Sequence, residues 1–159
     1  MDETSPVSEV PKLLLASSTY LLSRIGRIAK ADATARCMEL GMDLPHVGVL
    51  ALLEEGAPTT QAAIADALGI DRSQLVGELD ELEELGWVER QRDPHDRRRQ
   101  LVSLTAKGRK QIAGFRATAA RIEDEFLAPL DATQREALHK LLMTLAQHHD
   151  RRFAAELVS

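Results

Sequence analysis

Arginine is concentrated in one short stretch of this chain. Residues 90–109 carry seven Lys or Arg (Arg90, Arg92, Arg97, Arg98, Arg99, Lys107, Arg109) against two acids (Asp93, Asp96), a net +5 in a chain whose total is −5. Guanidiniums and ammoniums at this density call for an anionic partner, and the first candidate is a nucleic-acid phosphate backbone. The other groups with chemical potential are sparse. Cys37 is the single cysteine, so there is no intrachain disulfide and no cysteine-rich zinc site. Arg36 favours a Cys37 thiolate, but Glu39 is also near. The adjacent pair His148-His149 would point about 100° apart on a helix, so one ion cannot readily take both. His46 and His139 read as surface or interface residues. No Ser-His-Asp set and no isolated carboxylate pair stands out, so neither an enzyme nor a cofactor or metal is expected.

The elements that must hold the arginine stretch follow from periodicity. A chain of 159 residues fits one domain with a dimerisation layer, and 44% apolar content is enough for a core. Aromatics are 3%, which weakens any reading as a single-strand binder that stacks bases. The N-terminus lacks a signal-peptide pattern, and the longest apolar run, residues 47–53, is too short for a bilayer. A cytoplasmic protein that makes no membrane contact is expected.

Residues 1–10 read as a flexible tail. Residues 11–42 read as one long helix with Leu14, Leu21, Ile25 and Ile28 on a stripe. A nearly all-apolar helix over 44–54 follows, with Pro45 in its first turn. Thr59 or Thr60 caps a short helix closed by Gly69. Asp71, with Gln74 in capping-box position, opens a helix to Leu85 that faces Leu75, Leu79 and Leu82 to the core. The period then changes to two. Residues 87–92 and 100–104 read as strands around an Asp93-Pro94 turn, with Trp87 as a core residue at the helix–strand junction. Thr105 caps a helix bearing Ile112, Phe115, Ala119, Ile122 and Phe126, and Pro129 ends it. Asp131 and Gln134 open the last helix, with Leu138, Leu141, Leu142 and Leu145 on one side.

The fold class expected is therefore mostly α with a small β-hairpin: a winged helix-turn-helix lobe over 43–104, between helical dimerisation segments at 11–42 and 105–159. In such a lobe the second helix enters the DNA major groove while the hairpin wing reaches phosphates or the minor groove.

The stretch from Gly86 to Gly108 resembles the wing signature of the multiple-antibiotic-resistance regulator (MarR) family, on Asp96-x-Arg98 followed by Leu104-Thr105-x-x-Gly108. Residues 64–73 and Leu79-Asp-Glu-Leu-Glu83 are similar to its helix-turn-helix. The resemblance runs over the whole chain. It implies a homodimer on pseudo-palindromic double-stranded DNA. It implies Arg98 in the minor groove, Asp96 as the acid that orients the wing, and Arg97 and Arg99 on phosphates. It places Arg72, Ser73, Gln74 and Gly77 near the groove, with Val76 adjacent. A small amphipathic or phenolic effector, binding between dimerisation helices and DNA-binding lobe, would release the DNA, as in a repressor.

Two departures qualify this. Family members often place Thr or Arg where Val76 and Gly77 stand. The segment 71–86 holds six acids and one base, so the wing must carry an unusual share of the attraction to DNA. An acidic recognition helix also admits another reading, a dimer of the same fold that binds a partner protein without DNA. A redox or metal sensor is a further alternative; the sensing cysteines of some relatives lie near the start of the first helix, whereas Cys37 is near its end.

Overall fold

The computed structural model describes residues 10–56 and 59–153. The tail expected over 1–10 therefore lies, except for Val10, outside the described residues. Within them, seven helices and two strands follow in order: α1 (Lys12–Leu15), α2 (Ser18–Glu39), α3 (Leu44–Glu54), α4 (Gln61–Leu68), α5 (Arg72–Glu84), β1 (Val88–Arg92), β2 (Gln100–Leu104), α6 (Ala106–Phe126) and α7 (Ala132–His149). The mostly helical architecture with one hairpin is as the periodicity indicates.

One boundary differs. The single N-terminal helix expected over 11–42 is broken at Ala16-Ser17. Ser17 is extended, and its hydroxyl accepts the Tyr20 N–H at 3.3 Å, which starts α2 anew. Serine in this position offers the backbone a cap in place of a continuing helix. Leu14 thus falls in α1, while Leu21, Ile25 and Ile28 stay exposed along α2.

The core gathers in the middle of the chain. Val49, Leu50 and Leu53 of α3, Ile64 and Ala65 of α4, and Leu75, Leu79 and Leu82 of α5 are buried together with Trp87, Val88, Val102, Leu104 and Ile112. Full burial of each aliphatic side chain is worth roughly 1.5–3 kcal/mol, so this cluster supports the lobe. The spacing of the three α5 leucines places them on one face, as expected, and Trp87 sits in the core. By contrast α2 buries only Cys37 and α7 buries no residue fully.

β1 and β2 pair antiparallel, with Val88 opposite Leu104 and Arg92 opposite Gln100. β2 has a second neighbour that its sequence pattern does not reveal. Val102 N–H donates to Thr59 O at 2.7 Å, and Thr60 bridges Leu101. This ties the start of α4 to the wing.

The joint between wing and α6 explains the Leu-Thr-x-x-Gly run. Thr105 accepts the Gly108 N–H at 3.0 Å, and its hydroxyl lies 2.7 Å from Gly86 O. A Cβ on Gly108 would stand 2.0 Å from Trp87 O, so only glycine lets α6 begin this close to β1.

Candidate nucleic-acid interface

The reading helix is set by the turn before it. Gly69 adopts φ +63° at the end of α4, and Ile70 N–H donates back to Ala65 O at 3.1 Å. The next residue, Asp71, caps α5. It does so through Ser73, not through the Gln74 capping box expected: its carboxylate accepts the Ser73 N–H at 2.7 Å and also the Ser73 hydroxyl. These bonds hold the Asp71 carboxyl below the usual aspartate range. Because Leu75, Leu79 and Leu82 face inward, Arg72, Ser73, Gln74, Val76 and Gly77 are all exposed on the first turns.

The seven cations of the arginine stretch separate into two groups. Arg90 is clamped by α5, with Nη2 at 2.6 Å from Asp80 Oδ1 and 2.6 Å from Glu83 Oε2. Its backbone N–H also donates to Glu83 Oε1 at 3.2 Å. The hydrogen bonds from Arg90 pull the Glu83 carboxyl below its ordinary value. Lys107 donates to Leu85 O at 2.8 Å, at the end of α5, and Arg109 to Leu104 O at 3.0 Å. These three hold the lobe together. Arg92, Arg97 and Arg98 have no side-chain hydrogen bond or ion pair among the described residues, and Arg99 only a 3.4 Å approach to Asp96.

Asp96 shapes the wing tip through the backbone. Its carboxylate accepts the Arg98 N–H at 3.0 Å, and its carbonyl accepts the Arg99 N–H at 2.9 Å. Asp93 does the same for His95 N–H at 2.8 Å, and Asp93 N–H closes the loop on Arg99 O at 3.0 Å. Arg97, Arg98 and Arg99 are thereby displayed, all exposed, from an ordered turn. A cleft of about 350 Å³ separates Arg98 and Arg99 from the N-terminal turn of α4 at Thr60, Gln61 and Ala62. A cleft lined by two arginines and a helix N-terminal turn suits an oxyanion such as a phosphate.

The remaining candidates fare differently. His46, expected at the surface or an interface, is buried within the chain at 4% exposure. The first turn of α3 packs on α5 and against Trp87, whose ring meets the imidazole edge-on at 6.3 Å. His46 Nδ1 accepts the Asp43 N–H at 3.3 Å, while Nε2 faces Glu78 and Glu81 of α5, each at 3.3 Å. Burial pushes the Glu78 carboxyl up, against the pull of His46. Sequence inspection missed this group because its members lie on helices more than thirty residues apart. Cys37 is fully buried; desolvation, reinforced by Asp43, pushes its thiol up, and Arg36 is engaged by Glu125 at 2.9 Å. That environment disfavours a redox-active thiolate. His148 and His149 lie with their rings at 89°. His139 is exposed and lines a cleft of about 650 Å³ between α2, α6 and α7, whose apolar walls include Phe115, Ile122, Leu138 and Leu142. No helix among the described residues is long and apolar enough to cross a membrane.

Residues 40–99 match the model of a family described as "MarR family". A putative transcriptional regulatory protein for the hcr operon of Thauera aromatica is 33% identical over 124 residues, 77% of this chain and 75% of that protein. Among solved structures, the transcriptional repressor CouR bound to a 23-mer DNA duplex is similar with a TM-score of 0.77 and 34% identity, over 87% of this chain and 99% of that one. CouR from Rhodococcus jostii RHA1 bound to p-coumaroyl-CoA gives 0.70 and 30%, over 84% and 94%.

Proposed function

Because this chain belongs to the MarR family, and is thus a DNA-binding transcription regulator and not an enzyme, we propose that it works as a homodimeric, cytoplasmic repressor on pseudo-palindromic duplex DNA. α5 enters the major groove with Arg72, Ser73, Gln74, Val76 and Gly77, of which Val76 makes apolar contact with a base edge. Arg98 enters the adjacent minor groove, whose narrow A/T-rich form concentrates negative potential. Arg97 and Arg99 hold phosphates, and Asp96 keeps the tip in shape. Two-fold symmetry sets the half-sites about one helical turn, roughly 10 base pairs, apart or at a related spacing.

The observation that carries this reading is the wing tip: Arg97 and Arg98, exposed and without a side-chain partner among the described residues, stand on an ordered turn, and the first turns of α5 are exposed as well. The homodimer is supported by the flanks. Leu21, Leu22, Ile25 and Ile28 of α2 and Leu141, Leu142 and Leu145 of α7 are exposed apolar residues on helices that bury almost nothing within one chain. We accordingly divide the chain into dimerisation segments at 11–42 and 105–159 around the lobe at 43–104. The 650 Å³ cleft between α2, α6 and α7 has the size and apolar character to take a small amphipathic or phenolic effector, and a relative is known with p-coumaroyl-CoA bound. An effector acts only by binding the DNA-released state more tightly than the DNA-bound one.

The test is selection of bound duplexes from a random library, followed by titration of the winner at several salt concentrations. The expected result is a two-fold-related motif, with log affinity falling linearly with log salt by about 0.9 for each phosphate neutralised. Intact dimers that bind no duplex at low salt would overturn it in favour of a protein-interaction dimer.

A further inference from the structure

The group around His46 has features that a DNA-reading lobe does not require. His46 is 4% exposed, and its Nε2 is, among the described residues, the buried side-chain nitrogen or oxygen without a hydrogen-bond partner. It lies 3.3 Å from Glu78 Oε2 and 3.3 Å from Glu81 Oε2, yet is in hydrogen-bond geometry with neither. Asp43, His46 and Glu81 each bring a donor atom within 4.8 Å of the others. Three carboxylates thus converge on one imidazole, and among the described residues no Lys or Arg pairs with any of them. The neighbouring cation on β1, Arg90, is engaged one turn away by Asp80 and Glu83.

We propose that His46 Nε2, Glu78 Oε2 and Glu81 Oε2 form a binding site for a divalent transition ion of the zinc or manganese type, bridging the first turn of α3 to the middle of α5. The distances fit. Ligand bonds of about 2.0–2.1 Å at tetrahedral angles put donor atoms roughly 3.3 Å apart, as both histidine–glutamate separations are. The donor set fits as well: one imidazole and two carboxylates suit borderline divalent ions, and an open fourth position is left for water. The backbone frame is set by one helix, on which Glu78 and Glu81 are three apart, and the His46 ring packs edge-on against Trp87.

The ring proton has a defined course. With Nδ1 accepting the Asp43 N–H, the one proton of the neutral ring belongs on Nε2. Ion binding needs Nε2 without its proton, so the ring must change tautomer: Nε2 gives a proton to solvent, and Nδ1, released by the Asp43 N–H, takes one up. A bound ion would also offset two of the negative charges on the acidic helix. That consequence for DNA rests on the proposed function, whereas the site itself does not.

Trp87 is the single tryptophan and sits 6.3 Å from the His46 ring, so it reports on the site directly. The full-length protein, freed of metal with a chelator, is titrated with Co²⁺ while Trp87 emission and the Co²⁺ visible bands are followed; Zn²⁺ is then added. The expected result is saturable quenching at one Co²⁺ per chain, with emission restored by Zn²⁺. Affinity falls at least about tenfold in His46→Gln, Glu78→Gln and Glu81→Gln, and is kept in the double variant His148→Gln/His149→Gln. Glu81 is 62% exposed, so Glu81→Gln carries the test even where His46→Gln fails to fold. Absence of saturable quenching, or equal quenching in Glu81→Gln and Glu78→Gln, would overturn the site. The measurement contains no DNA, so it fails independently of the DNA-binding reading.

Discussion

The wing and the recognition helix stand side by side and use their charges in opposite ways. On α5 the polar groups mostly answer one another. Asp71 takes both the N–H and the hydroxyl of Ser73, Asp80 and Glu83 take Arg90, and Glu78 and Glu81 turn toward His46. On the wing the backbone does the answering. Asp93 and Asp96 satisfy N–H groups of the turn, and Arg97 and Arg98 remain without a side-chain partner among the described residues. A basic run in a sequence is therefore not the same as a basic surface. Arg90, Lys107 and Arg109 belong to the joint between α5, the hairpin and α6, while the charge available to a polyanion sits at Arg92 and the wing tip.

The largest expected effect is at Arg98. Arg98→Ala keeps the backbone N–H that Asp96 accepts, so the wing retains its shape. Duplex affinity, read by anisotropy, should fall by roughly ten- to a hundredfold, with loss of preference for A/T-rich flanks. Equal flank preference before and after substitution would remove Arg98 from the minor groove. Next come Arg97→Ala and Arg99→Ala. Each should weaken binding almost uniformly across sequences and shallow the salt slope by about one, the share of a single phosphate. An unchanged slope would show that these guanidiniums miss the phosphates.

Arg90→Ala probes the other side of the comparison. It should lower the stability of the lobe by about 1 kcal/mol in denaturant unfolding, a modest figure because the pair is partly exposed. Its mark is the pH dependence. Glu83 is held below its ordinary value of 4.5, so its contribution is fully present above that pH and is lost as pH falls through the lowered value. The variant should lack that acid-side loss; an identical acid profile in parent and variant would sink the clamp. The smallest effect belongs to Ser73→Ala. With the hydroxyl already donated to Asp71, duplex affinity should change by roughly threefold or less. A loss comparable to that of Arg98→Ala would reverse the contrast between helix and wing.

Much of the lobe was legible from residue order because local rules govern it. Thr60, Asp71, Thr105 and Asp131 cap the helices expected of them, Gly69 closes α4 with a positive φ, and the α5 leucines point inward by their spacing. The strands fall within a residue of their expected bounds, since a period of two is hard to mistake beside helices. The break at Ser17 was less legible, because its apolar stripe continues across it. His46 was misread for a different reason. A lone histidine in an apolar helix has no periodic signature, and its burial depends on where α5 and Trp87 come to lie.

Residue order alone was enough for the family, the succession of elements and the identity of the wing. These rest on short-range causes: side-chain caps, the glycine that only a close approach tolerates, and the alternation of a hairpin. Which charges are free was settled by the packed fold. Whether an arginine meets DNA or a neighbouring carboxylate depends on contacts between segments distant in sequence, such as β1 with α5 or α3 with α5. Ion pairing acts over a few ångströms in space and is indifferent to separation along the chain, so residue order could locate the cations but not the partners that claim them.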